Sequence, residues 1–231
     1  MRFISIVPLL LLLVFLSGCR VDSMTDPIII PDVEREFTID MLEILDIGDN
    51  LLTLQIETIR DENCLNSTIE YTLRQSEKGL GISLNKIYTP QNCQSGRAPA
   101  HAAVNLEKLT LGNFDFSIDL LQTITNEGTL VNGANAYRLN MKTENGIQVL
   151  HKELRKIPEN TIWGWVSYSG STQSAASGVL TDISQLSSGR SFDSGYYGYF
   201  EINEDQISIL DSPEDQLFLP VLTNIKPENN S

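Results

Sequence analysis

Apolar and polar residues alternate in short runs along most of the chain. Phe114, Phe116, Ile118 and Leu120 take turns with Asp115, Ser117 and Asp119, the period of a strand with one buried face. Similar β-rich runs fall at residues 37–45, 51–59, 68–74, 81–87, 102–106, 129–131 and 136–143. Turn residues separate them: Gly48-Asp49-Asn50, Asp61-Glu62-Asn63, Ser76 to Gly79, Asn126-Glu127-Gly128 and Asn132-Gly133. Asn and Gly accept positive φ and so suit hairpins. Short strands at this spacing, without intervening helices, predict an antiparallel β-sandwich over residues 35–145.

The pattern changes in the second half. A strand is expected at 147–154, before Pro158-Glu159-Asn160 interrupts the chain, and a short apolar strand at 162–168 carries both tryptophans. Over residues 171–188 the period becomes helical. Ala175, Ala176, Val179, Leu180, Ile183 and Leu186 share one face, with Asp182 and Gln185 opposite. Gly178 weakens this helix and Gly189 ends it. Strands at 196–202, 207–210 and 217–222 complete the expectation of a small α+β domain with one main helix, residues 146–225, followed by a polar tail, 226–231.

The N-terminus reads as an address. Arg2 precedes a 14-residue apolar stretch, Phe3 to Leu16, broken only by Ser5 and Pro8. A helix needs about 20 apolar residues to cross a bilayer, so residues 1–18 have the form of a secretory signal peptide and stand outside the fold. Leu16-Ser17-Gly18-Cys19 follows. This segment resembles the lipobox of bacterial lipoproteins: an aliphatic residue, a small residue, Gly or Ala, then Cys. The resemblance implies cleavage before Cys19, a diacylglycerol on its thiol and an acyl chain on its new amino group. It makes residues 19–34 a lipidated tether. Two or three acyl chains hold stably where one holds only marginally, so the implied protein is tethered to a membrane and not embedded in it. Arg20 follows the cysteine where Asp favours inner-membrane retention in enteric bacteria, which points to the outer membrane in a cell with two membranes. A second resemblance lies in Leu106-Glu107-Lys108-Leu109-Thr110-Leu111-Gly112-Asn113-Phe114. It is similar to the corner entering the sixth strand of immunoglobulin-like and fibronectin-like domains, with Phe114 in place of their Tyr, and implies an immunoglobulin-like sandwich over residues 35–143.

Composition narrows the partners. The 231 residues carry 16 Lys plus Arg against 30 Asp plus Glu, a formal charge of −14. Nucleic-acid backbones are excluded as partners by that balance. Loss of Arg2 with the signal segment makes the charge −15. With Cys19 lipidated in an oxidising compartment, Cys64 and Cys93 remain as an even pair. Counting strands up, down and up places their two loops at the same end, which predicts a disulfide. Two free thiols or a shared metal are the alternatives.

Catalytic chemistry is sparse. His101 and His151 are the two histidines, and Gly164-Trp165-Val166-Ser167-Tyr168-Ser169-Gly170 has the wrong spacing for a nucleophile elbow. No P-loop, dinucleotide or zinc motif occurs, so neither a cofactor nor a metal is expected. Three acidic loops, Asp46/Asp49/Asn50, Asn203/Glu204/Asp205 and Asp211/Glu214/Asp215, lack EF-hand spacing. The aromatic residues stand out instead. Trp163 and Trp165 project from one face of a strand, and Tyr168, Tyr196, Tyr197 and Tyr199 lie close in sequence. Such a group is either a platform for an envelope protein or carbohydrate, or the core of the small domain. The expected function is a lipid-anchored, non-enzymatic binding or assembly module of the cell envelope. The alternative is a carbohydrate-active or other hydrolase using Asp/Glu in the C-terminal domain.

Overall fold

A computed structural model describes residues 34–45, 50–158, 161–189, 192–204, 206–210, 216–218 and 223–225. The expected signal segment, Cys19, the expected polar tail, and the acidic residues Asp46, Asp49, Asp205, Asp211, Glu214 and Asp215 lie outside them. All described residues belong to one compact unit that begins at Val33.

The protein is mainly β. Its first ten strands are β1 (Phe37–Leu45), β2 (Asn50–Cys64), β3 (Thr68–Gln75), β4 (Gly79–Tyr88), β5 (Ser95–Asn105), β6 (Gly112–Leu120), β7 (Ile124–Asn132), β8 (Ala136–Met141), β9 (Ile147–Val149) and β10 (Glu153–Arg155). They form a single sheet in the order β10-β8-β7-β6-β4-β3-β5-β2-β1-β9. Most neighbours are antiparallel, but β1/β9, β3/β5 and β4/β6 run parallel. This mixed sheet stands where two antiparallel sheets of an immunoglobulin-like sandwich were expected. Alternation in sequence reports which face of a strand is buried; it is blind to which strand lies alongside and in which direction.

The sheet curls into a half-barrel around one core. Alternate residues of nearly every strand enter it, among them Phe37, Ile39 and Met41 of β1, Leu52, Leu54 and Ile56 of β2, Leu80, Ile82 and Leu84 of β4, and Phe114, Phe116, Ile118 and Leu120 of β6. The curl follows from chain economy. β9 and β10 are the two edge strands, yet only Leu150, His151 and Lys152 separate them in sequence. One extended segment therefore hydrogen-bonds to β1 along its first part, where Leu150 N–H donates to Ile39 O, and to β8 along its second, where Lys152 O accepts from Leu139 N–H. The sheet thus runs on through residues 147–155, whose two halves are its two edge strands.

Cys64 and Cys93 form the expected disulfide, with Cα atoms 5.5 Å apart. It ties the end of β2 to the loop after β4, the two strand ends that parity placed together.

Beyond β10 the structure is built from small pieces. β11 (Trp165–Ser167) leads through a 3₁₀ turn at Gly170–Thr172 into α1 (Gln173–Leu186), then β12 (Ser187–Gly189). β13 (Gly195–Tyr196), β14 (Phe200–Asn203) and β15 (Gln206–Ile209) form a three-stranded sheet. β16 (Gln216–Phe218) pairs with β11, and β17 (Thr223–Ile225) with β12. The helix lies within the expected span. Its apolar face is barely used: Ala176 alone is buried in it, while Val179 and Leu186 are exposed.

Candidate functional site

Two groups of side chains meet where the C-terminal segment covers the sheet. The first is aromatic. Trp163, just before β11, and Trp165, the first residue of β11, pack edge to face with ring centroids 5.7 Å apart; the strand expected over 162–168 is confined to 165–167. Tyr199 lies 4.6 Å from Trp163 and 6.1 Å from Trp165. Phe200 backs Trp163 at 5.6 Å and stacks on Tyr197 at 5.0 Å. Phe200 and Tyr197 are buried with Ile157 and Ile202 in a second small core, whereas both tryptophans and Tyr199 are half-buried. The cluster is thus layered, with a closed floor of Tyr197 and Phe200 beneath a partly open surface of Trp163, Trp165 and Tyr199. Tyr168 lies just past β11, also half-buried.

Tyr196 does not join this cluster. It is buried, packs into the main core, and donates its hydroxyl to Asp40 Oδ2 at 2.8 Å. His151 stacks on its ring, centroids 3.7 Å apart, and its Nδ1 lies 3.1 Å from both Asp40 carboxylate oxygens. Asp40 of β1, His151 of the β9–β10 link and Tyr196 of β13 thereby pin three distant stretches of chain together. Burial, reinforced by the Asp40 charge, pushes the Tyr196 hydroxyl well above the ordinary tyrosine range. The backbone cooperates: Gly198 has φ +86°, and a Cβ there would stand 2.6 Å from Leu42 Cδ1.

The second group is polar and sits at one end of the half-barrel interior. Glu43 is 2% exposed. Its Oε1 accepts from Tyr137 Oη at 3.4 Å and its Oε2 from Ile157 N–H at 3.3 Å. Lys156 donates to Asn132 Oδ1 at 2.6 Å and lies 4.3 Å above the Tyr137 ring. Burial lowers the Lys156 ammonium from its ordinary value, and the Glu43 charge opposes that shift. Burial also raises the Tyr137 hydroxyl, with Glu43 adding to the effect. Tyr199 is raised by burial and then by Glu43, which links the polar group electrostatically to the aromatic surface.

Sequence reading missed these polar partners, though one signal was present. Phe37, Ile39 and Met41 set the inward phase of β1, and continuing by two puts an acid, Glu43, inside. Asp40, in the opposite phase, faces out. The two carboxylates lie on opposite faces of β1 and do not converge. Among the C-terminal acids, Glu153 pairs with Arg138 at 2.6 Å and Arg155 at 3.1 Å, and Arg155 also reaches Asp193 at 3.6 Å. His101 is exposed on β5. An open groove of about 640 Å³ on the outer face of the sheet has Gly79, Gly81 and Ser117 along it, with Arg74, Asp115, Glu127 and Lys142 at its sides.

Among the described residues no helix is long and apolar enough to cross a membrane. Fold and site together define a mainly β domain with a curled mixed sheet and a half-open aromatic surface. Comparison with family models, with curated proteins and with solved structures returned no match.

Proposed function

We propose that this protein is a lipid-anchored bacterial lipoprotein of the cell envelope, facing the outer membrane in cells with two membranes, whose folded domain serves binding or assembly. The observation that carries this reading is Leu16-Ser17-Gly18-Cys19 directly behind Arg2 and an apolar run too short to span a bilayer. The domain suits such a role. A disulfide-stapled half-barrel is a rigid support, and Trp163, Trp165 and Tyr199 offer apolar faces beside polar tips, a surface fitted to an envelope protein or to the face of a sugar ring. The hydrolase alternative, which calls on Asp/Glu of the C-terminal domain, draws less support, since Glu153 there is held by Arg138 and Arg155 and Asp193 is reached by Arg155.

The test is fractionation. Wild-type protein sediments with membranes; Cys19→Ala is released to the soluble fraction or remains as uncleaved precursor without acyl chains. Unchanged acylation and membrane association of the Ala variant refute the reading.

A further inference from the structure

Among the described residues eleven large apolar side chains are exposed; Tyr71, Leu111, Leu150, Val179, Leu186 and Leu210 are scattered over the molecule, and the other five gather in one place. Ile59 near the end of β2, Leu65 beyond it, Ile87 and Tyr88 at the end of β4, and Leu121 in the β6–β7 turn are each 36–45% exposed. All five lie at one end of the sheet. β4 and β6 are parallel with Leu84 opposite Leu120, so the end of β4 and the β6–β7 turn point the same way. Thr68 pairs with Tyr88 and bridges His101, which brings the start of β5 and the disulfide to this rim. Leu111, just before β6 at the opposite rim, is 68% exposed.

The charge balance differs here too. Residues 34–36, 59–70, 85–101, 121–123 and 142–146 carry five basic and six acidic residues, against an acid excess near twofold in the whole chain. Several are paired: Arg60 with Glu34, Lys86 with Glu70 at 3.4 Å, and Arg97 with Asp61 at 4.0 Å. An acidic surface is repelled by anionic lipid headgroups. This near-neutral rim is spared most of that repulsion, and Tyr88, with Lys86 over its ring at 5.7 Å, has the amphipathic character of residues that settle at a membrane interface.

The described domain also begins at this rim. Glu34, where the described domain begins, is held there by Arg60, and Ile59 N–H donates to Glu36 O. Fifteen residues lead back to Cys19, a span of about 50 Å at most.

We propose that the disulfide-bonded rim, presenting Ile59, Leu65, Ile87, Tyr88 and Leu121 among paired charges, rests on the lipid surface that holds Cys19. The proposal rests on the lipoprotein reading and adds an orientation to it. The aromatic surface is then left for a partner in the aqueous compartment.

The experiment uses the full acylated chain in vesicles of phosphatidylethanolamine and phosphatidylglycerol doped with brominated phosphatidylcholine. Tyr88→Trp and, at the opposite rim, Leu111→Trp are compared after subtraction of the parent's emission. Tyr88→Trp is expected to be quenched by the brominated lipid and at least twofold less accessible to acrylamide than Leu111→Trp. Adding Ile87→Asp, an exposed position, should bring both values to those of Leu111→Trp while the protein still floats with the vesicles. Equal acrylamide access at both positions in floating protein overturns the orientation and leaves the anchor standing. Protein that does not float at all overturns the anchor, and the orientation with it. Protection of position 88 in native envelopes but not in protein-free vesicles assigns the rim to a protein partner and overturns the lipid assignment.

Discussion

Replacing Glu43 by Gln changes one oxygen to an amide in a site with almost no solvent. In the native protein the carboxylate accepts from Tyr137 Oη and Ile157 N–H, one on each oxygen. Gln keeps one acceptor and turns a donor toward the other partner. Losing a hydrogen bond to a charged group costs about 1.5–3 kcal/mol, and the surviving bond weakens by about 1 kcal/mol as its acceptor becomes neutral. Lys156 also loses the charge that offsets its burial. The expected total is about 3 kcal/mol, or a fall of about 6–12 °C in Tm for a domain of this size. Urea unfolding followed by far-UV circular dichroism measures it, with Lys156→Met completing a double-mutant cycle. An interaction of about 1 kcal/mol or more between positions 43 and 156 is expected. A loss below about 0.5 kcal/mol for Glu43→Gln, or strict additivity with Lys156→Met, would refute the idea that this carboxylate organises the end of the barrel.

Other consequences can be measured alongside. Tyr137 and Tyr196 keep their protons in the folded state at pH values where the unfolded chain releases them, so their stabilisation is complete below pH ~10 and falls by about 1.4 kcal/mol per pH unit for each above it. Lys156 acts in the opposite sense, adding stability as pH rises from its lowered native value to about 10.5. Melting temperatures across this range should therefore decline steeply only above pH ~10, with Tyr137 and Tyr196 ionising as the fold is lost; all tyrosines titrating together in a protein that stays folded would contradict this. Reduction of Cys64–Cys93, 29 residues apart, should lower stability by about 3–4 kcal/mol in the loop-entropy model, read as a shift of the urea midpoint with and without reductant. Gly198→Ala should cost about 1–3 kcal/mol, because it combines a positive φ with a close approach to Leu42; a melt superimposable on wild type would show that Leu42 yields without cost.

Local pattern and tertiary structure divide this protein between them. Strand positions were legible because alternation is a property of neighbouring residues: the inward phase of β1 and β6 can be read directly from Phe37-Ile39-Met41 and Phe114-Phe116-Ile118. The Cys64–Cys93 pairing was legible for a related reason, since the parity of three successive strands fixes which ends coincide. The half-open tryptophan pair was half legible: Trp163 and Trp165 are neighbours in sequence, but Trp163 precedes β11, and the packing of both depended on Tyr199 and Phe200 arriving from a later stretch of chain. Glu43 and Tyr137 are 94 positions apart, and Asp40 and Tyr196 are 156 apart; no local pattern encodes such partners.

Sequence alone thus determined most strand positions of the main sheet, the staple and the acidic charge balance, because each is written in adjacent residues or in simple counts; the N-terminal segment resembling a lipobox is likewise local, and it stands as a proposal. Tertiary structure alone decided that the strands join in one curled mixed sheet. That choice belongs to the segment 147–155, which serves both edges at once. It also decided where the burial of charge is concentrated, since Glu43 near the end of β1 becomes a buried group only when Tyr137 of β8 and the backbone of Ile157 come round to meet it.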